Sequence, residues 1–417
     1  MKRQRSFYLS IIVVFLFNTG CNLFNQNQKA KNSVMEFEKG TFGHDEKFLE
    51  KYYQDLIVLN TKDEKAKIII SPELQGRVMT STLNGNKGYS FGWINYDLIS
   101  SGKLNEQFNP VGGEERFWLG PEGGQFAYYF PQGKSFTFEN WKVPSPIDTE
   151  PFEVTGKTSD RVVFQKDFTL VNFSDYVFKI GVKRTIGLLE TPEILQRIDL
   201  PGLDVQAVGY ETENQLTNIG DQPWTRETGM PSVWLLSMMT PSPEVTVVIP
   251  VKDNHANKKE DVVNDNYFGK VEDARLKVIG NTIFFKADGS NRGKIGVSPD
   301  NATGVMGSYD AINETLTILQ IKPPNSNDPY VNSAWEYQKE PFEGDALNSY
   351  NDGPLDDGSQ MGPFYELESS SPALSLNPGE DYNHIQRIYH FKGGEGALDS
   401  ISRKVLNVSI NAIKKVF

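Results

Sequence analysis

Between Tyr176 and Ile186 the side chains alternate: Val177, Lys179, Gly181 and Lys183 fall on one side, Phe178, Ile180 and Val182 on the other. A period of two marks a half-buried antiparallel strand and does not fit a helix burying one stripe. Comparable short runs occur at Lys67–Ser71, Arg77–Leu83, Arg161–Val171, Ile194–Leu200, Val245–Ile249, Arg275–Ile279, Thr282–Lys286, Thr315–Ile321 and Ile385–Phe391. Turn dipeptides such as Asn84-Gly85 and Asp288-Gly289 separate them. The pattern predicts an all-β fold: a large antiparallel β-sandwich with a few peripheral helices. One short helix is expected around Phe48, Leu49 and Tyr52. A second is expected from Leu398, where Ile401, Val405, Val408, Ala412, Ile413 and Val416 recur at helical spacing, with Asp399 in its first turn and Lys414 and Lys415 near its end. With 38% hydrophobic residues, no interior Pro/Ser linker and no fixed-period repeat, residues 36–417 are expected to form one domain.

The start of the chain has another character. Lys2, Arg3 and Arg5 precede an uncharged apolar run from Phe7 to Phe17, followed by Asn18, Thr19, Gly20 and Cys21, the only cysteine. The run suits a signal-peptide core and is far short of the ~20 residues that span a bilayer. The segment resembles the lipobox of bacterial lipoproteins. That resemblance implies a signal peptide over 1–20, an acylated Cys21, and a lipid-anchored protein of the cell envelope, facing the periplasm or the surface. A transmembrane anchor with an incidental cysteine is the alternative. Residues 21–35 are polar and rich in Asn, Gln and Lys, and read as a flexible tether. With its one thiol acylated, the chain has no disulfide and no cysteine for catalysis or metal binding. A formal charge of −12 repels nucleic acid and anionic headgroups, so membrane contact is expected only through the lipid on Cys21. No Walker or dinucleotide fingerprint occurs, and no cofactor is expected.

Three segments carry candidate chemistry. In Phe364–Ala373, an extended Tyr365–Ser370 places Glu366 and Glu368 on one face, with Tyr365 and Leu367 on the other. Two such carboxylates repel unless a cation, a proton or a donor-rich ligand lies between them, or both face solvent. The final strand groups His384, Gln386, Ile388 and His390 opposite Ile385, Arg387, Tyr389 and Phe391. The second segment, Gly112–Gly124, combines five glycines with Glu115, Arg116, Trp118 and Glu122. A Trp offers a flat apolar face to a pyranose, and Arg and Glu offer donors and acceptors to hydroxyls; a structural turn with a core Trp is the alternative. The third holds Trp335, Glu336, Asn348, Tyr350, Asn351 and Asp352. Aromatics with amides and carboxylates suit a carbohydrate ligand. Asn351, Asp352, Asp356 and Asp357 could also ligate calcium, without the spacing of an EF-hand, or form an ordinary Asn-Asp-Gly turn.

Leu367-Glu368-Ser369-Ser370, the proline at 372, Leu376-Asn-Pro-Gly-Glu-Asp-Tyr382 and the last strand together resemble the end of the aldose 1-epimerases (galactose mutarotases). Ile70–Gly85 and Asn214–Trp224 resemble an early hairpin and a middle strand-turn of the same superfamily. The set is similar to an uncharacterised family of bacterial lipoproteins within the galactose-mutarotase-like superfamily, over about residues 55 to 392. The resemblance implies that superfamily's large sandwich and, at Glu368, a catalytic base. The mutarotases' central Asn-His-x-x-Phe-Asn-like motif is missing here, so mutarotation would need another acid, His384 or Glu366 with a raised pKa. The expected function is therefore carbohydrate capture in a cleft lined by Arg116, Trp118, Glu115, Glu122, Trp335, Glu336, Asn348, Asn351 and Asp352. The alternatives are an epimerase using Glu368, or a polysaccharide lyase or hydrolase using a pair such as Glu115 and Glu368.

Overall fold

A computed structural model describes residues 37–253 and 259–417. The leader, Cys21 and the tether lie outside the described residues. Three antiparallel sheets are present among them. The smallest holds β1 (Ile57–Asn60), β2 (Lys67–Ser71) and β3 (Arg77–Thr82). A five-stranded sheet runs in the order β13 (Gly293–Val297), β16 (Leu347–Asn351), β17 (Tyr365–Ser370), β9 (Ser232–Met239), β4 (Arg116–Gly120). The ten-stranded sheet begins with β11 (Leu276–Ile279), β12 (Thr282–Lys286), β10 (Val245–Pro250), β14 (Val305–Asp310) and β15 (Thr315–Ile321). It continues through β18 (Asp381–Lys392), β8 (Gln206–Asn218), β7 (Val177–Leu189), β6 (Arg161–Val171) and β5 (Glu153–Lys157). This is the antiparallel β-sandwich expected from the alternating runs.

The five- and ten-stranded sheets pack face to face around one large apolar cluster containing Leu367, Val233, Leu235, Ile388, Val182 and Leu216. The layer also carries fully buried polar pairs. Arg184 Nη2 lies 2.6 Å from Glu115 Oε1, whose second oxygen accepts from Gln386 at 2.6 Å. His390 Nε2 lies 2.9 Å from Glu114 Oε1. Such pairs compensate charges that would otherwise be costly to bury. On the outer face of the ten-stranded sheet, Tyr389, Phe391, Leu316 and Ile318 are covered by Leu398, Ile401, Leu406, Ile410 and Ile413 from the C-terminal helices.

Two local expectations need correction. Ile194–Leu200, expected as a strand, lies largely in the helix Thr191–Arg197. Its buried positions, Ile194, Leu195 and Ile198, have helical rather than alternating spacing, and Glu193 pairs with Arg197 one turn later at 2.9 Å. The C-terminal helix is two helices, Glu395–Leu406 and Ile410–Lys414. Asn407 turns the chain at φ 57°, Ser409 caps the second helix, and Asp399 accepts from Ile410 N at 2.9 Å. The centre of Gly112–Gly124 adds a strand, β4, that the alternating runs did not include. Both turn dipeptides separate strands as expected: Asn84-Gly85 follows β3 and leads into a short 3₁₀ turn, and Asp288-Gly289 sends the chain from β12 toward the other sheet.

Candidate functional site

Strand register decides which side chains meet. In the five-stranded sheet Arg116 pairs with Leu236, Leu236 with Glu368, Glu368 with Asn348, and Asn348 with Gly296. In a neighbouring row Met238, Glu366, Tyr350 and Lys294 lie side by side. Trp118 faces Trp234, which faces Ser370. Every even-numbered residue of these strands therefore points away from the sandwich interior, and every odd one points in. The outward face, which one-sided sheets leave to solvent, carries Arg116, Trp118, Trp234, Leu236, Lys294 and Glu366 as the floor of a cleft of about 690 Å³. Its walls come from Phe108, Phe138 and Trp141 on one side and from Phe268, Trp335, Met361 and Phe364 on others.

The glycines at the entry to β4 are required by space. Gly112 and Gly113 adopt φ of +93° and +116°, and a Cβ would lie 2.1 Å from Trp93 O at the first and 2.5 Å from Arg77 Cδ at the second. No L side chain fits there. The turn delivers the Arg116 guanidinium carbon over the Trp118 ring, 3.9 Å from its centre, and 5.1 Å from the centre of the Phe108 ring. Arg116 Nη2 reaches Glu366 Oε1 at a long 3.4 Å. Among the described residues, Arg116 Nε and Nη1 and Trp118 Nε1 find no acceptor. Unpaired buried donors are expensive, so acceptors are wanted there.

Glu368 is held more tightly. Its Oε2 accepts from Lys294 Nζ and from Trp234 Nε1, both at 2.9 Å, and the residue is fully buried. It lies beneath the Lys294 and Trp234 side chains rather than on the cleft wall. Glu366 is the carboxyl that faces the cleft. Burial first, and Glu368 second, push Glu366 up to about 8, against the pull of Arg116 and Lys294. Burial draws the Lys294 ammonium down, but Glu368, Glu122 and Glu366 outweigh it and hold Lys294 above its ordinary value. Glu122, half-buried, is also pushed up, chiefly by burial; its Oε1 accepts from Trp141 Nε1 at 3.0 Å.

The three sequence segments thus meet, though not with all their candidates. Arg116, Trp118, Glu122, Trp335 and Glu366 line the cleft, and Asn348 lines a small polar cavity that shares Glu122, Trp234 and Lys294 with it. Glu115 turns inward to Arg184, so it is not available to a ligand in the cleft. His384 lies on the interior side, its Nε2 2.8 Å from Ser369 Oγ on the face of β17 opposite Glu368, and burial lowers it to about 4. Asn351 also points inward, accepting from Gly289 N and donating to Asn291 O. Asp352 accepts from Tyr350 OH at 2.7 Å and from Gly362 N at 3.1 Å. Glu336 is exposed on the loop after Trp335 and lines neither cavity. Asp357 accepts from Ser359 N and Oγ within a turn. Among the described residues no group of three His, Cys, Asp or Glu side chains is placed to hold a metal ion.

Sequence reasoning missed Lys294, Trp234, Trp141, Phe108, Phe268 and Arg292. Trp234 sits in the unbroken apolar run Ser232–Met239, which reads as core. Lys294 gives a signal only in retrospect, as a lone charge within a buried strand.

An antiparallel sandwich whose outer sheet face holds charged groups and tryptophans in a cleft is the class of protein defined so far. The chain belongs to a family of unknown function, DUF6786, whose model matches residues 40–417. No curated protein matches it. Among solved structures it is similar to a putative aldose 1-epimerase from Escherichia coli K12, at 10% identity, over 80% of this chain and 98% of that one, with a TM-score of 0.49. It is also similar to a galactose mutarotase-like protein from Lactobacillus casei, at 12% identity, over 80% and 99%, with a TM-score of 0.48. A putative mutarotase from Salmonella typhimurium shares 12% identity over 81% and 90%, with a TM-score of 0.45.

Proposed function

We propose that this protein binds carbohydrate in the cleft over the five-stranded sheet, as a sandwich domain tethered through residues 21–35 to a lipid on Cys21 at the cell envelope. One observation carries the reading: Arg116 and Trp118, buried and stacked on the cleft floor, keep three donors without acceptors among the described residues. Sugar oxygens are acceptors of that kind, and the rings of Trp335, Trp141 and Phe268 supply apolar faces for pyranose C–H groups. Trp335 stacks near Trp141 at 6.0 Å with 24° between the planes, which leaves a flat aromatic wall. The small cavity beside it adds Asn348, Ser333 and Asp345 as polar neighbours.

A second reading, an enzyme of the aldose 1-epimerase kind, draws on Glu366. A cleft-facing carboxyl pushed up to about 8 can give a proton at neutral pH. Glu368, with Oε1 unpartnered among the described residues, would be the companion base. Capture is preferred because Glu368 is committed to Lys294 and Trp234, and among the described residues no histidine lines the cleft.

Glycan-array binding by the full chain, followed by NMR of each bound sugar for anomeric exchange, tests both readings. Binding without faster exchange is expected, with loss of binding in Trp335→Ala and Phe268→Ala. An array with no bound glycan overturns capture, and accelerated exchange lost in Glu366→Gln establishes the enzyme.

A further inference from the structure

The charged groups of the cleft differ in how they are spent. Lys294 is committed to Glu368 at 2.9 Å. Arg116 has only the long 3.4 Å contact to Glu366, and its Nε and Nη1 are unpartnered among the described residues. Arg292, exposed at the mouth, lies over the Phe268 ring at 4.0 Å and donates to the Tyr350 hydroxyl. No carboxylate of the described residues lies within ion-pair distance of it. The cleft therefore has one guanidinium in its floor whose Nε and Nη1 are buried without acceptors, and a second, exposed one at its entrance. Each lies over an aromatic ring, which limits its movement and still allows its N–H groups to form hydrogen bonds.

Free guanidinium edges discriminate among sugar oxygens. A hydroxyl is a weak, single acceptor, whereas a carboxylate presents two parallel acceptors that match the guanidinium fork. The setting sharpens this. The whole chain carries −12, so long-range attraction does not bring an anion here, and only local donors can hold one. Glu366, the carboxyl in contact with Arg116, is pushed toward its protonated form by burial and by Glu368, which weakens its repulsion of an incoming anion, while Glu368 is neutralised by Lys294.

We propose that the ligand of this cleft is an acidic carbohydrate, a hexuronic acid unit whose carboxylate is read by Arg116 and guided by Arg292. The inference rests on the carbohydrate-binding reading and names its substrate class. Four exposed apolar side chains around the same mouth, Leu104, Phe138, Phe268 and Met361, extend the apolar surface beyond one ring. A uronic-acid-containing oligosaccharide uses that surface better than a free monosaccharide does.

Calorimetry on the full chain separates the possibilities. Galacturonate and glucuronate, their di- and trisaccharides, the matching methyl esters and the neutral hexoses are titrated at low and moderate salt. The acids are expected to bind at least ten-fold more tightly than their methyl esters, more weakly as salt rises, and more tightly as oligosaccharides than as single sugars. Arg292→Gln, an exposed change, is expected to lower affinity for the acid several-fold and that for the ester much less. Arg116→Lys, which keeps charge but loses the fork, is expected to abolish the preference. Esters or neutral hexoses binding as tightly as the acids overturn the acidic-ligand assignment and leave the carbohydrate reading standing. No heat with any sugar overturns both.

Discussion

Lys294 and Glu368 lie 2.9 Å apart across the width of β16, the ammonium of one strand neutralising the carboxylate of another two places away. Leaving one partner buried and uncompensated is strongly destabilising, so the pair belongs to the architecture of the floor as much as to any ligand. The first consequence concerns its neighbour, Glu366.

Glu366 binds its proton more tightly folded than unfolded, since its pKa rises from 4.5 to about 8. Its contribution to stability is therefore fully present below about 4.5 and is lost as pH rises through about 8. The wild type should lose melting temperature between pH 5 and 8, and Glu366→Gln should lose several degrees less over that interval. Thermal unfolding of both proteins across this range checks it; parallel curves contradict the assignment.

His384 works in the opposite direction. Its pKa falls from 6.5 to about 4 through burial. Its stabilising contribution holds above about 6.5 and is lost as pH falls through about 4, a loss on the order of 3 kcal/mol. In His384→Gln the acid limb between pH 6 and 4 should flatten, as read by urea unfolding at fixed pH. An unchanged slope means that another group governs acid unfolding.

Arg184 and Glu115 form a fully buried ion pair between the sheets. Arg184→Met should lower the free energy of unfolding by about 3–5 kcal/mol, because it strands the Glu115 carboxylate. The double change Arg184→Met with Glu115→Gln should recover part of that loss. Chemical denaturation of the three variants measures the coupling.

Cys21 is the proposed lipid attachment. Cys21→Ala should abolish incorporation of radiolabelled palmitate and release the chain from the membrane fraction. Retained label in the variant rules out acylation at this residue.

The alternation of side chains made much of this legible. It placed Glu366 and Glu368 on one face, and it delimited β2, β6, β12 and β15 to the residue. Applied to β4 and its approach, the same parity separates Glu115 from Arg116, and applied to β16 it separates Asn348 from Asn351. Reading those segments by composition, without assigning strands to them, forfeited that information. Lys294 and Trp234 were illegible for another reason. Their importance comes from pairing with a residue 74 or 134 positions away, and cross-strand register is a long-range property that no local pattern encodes. Asn407 and Ser409 did announce the break between the last two helices, since Asn tolerates φ > 0 and Ser is a preferred cap, but the apolar spacing masked it.

The position of β18 has a consequence for how the chain comes together. It is the final strand in the sequence, yet it lies between β15 and β8, pairing along its whole length with the latter. Until residues 381–392 have left the ribosome, the ten-stranded sheet can exist only as two separate leaves whose inner borders, Gln206–Asn218 and Thr315–Ile321, are raw edges. Such edges recruit other chains as readily as the missing strand. The last strand thus acts as a keystone, and a nascent or truncated chain ending before Asp381 is the form of this protein most prone to aggregate.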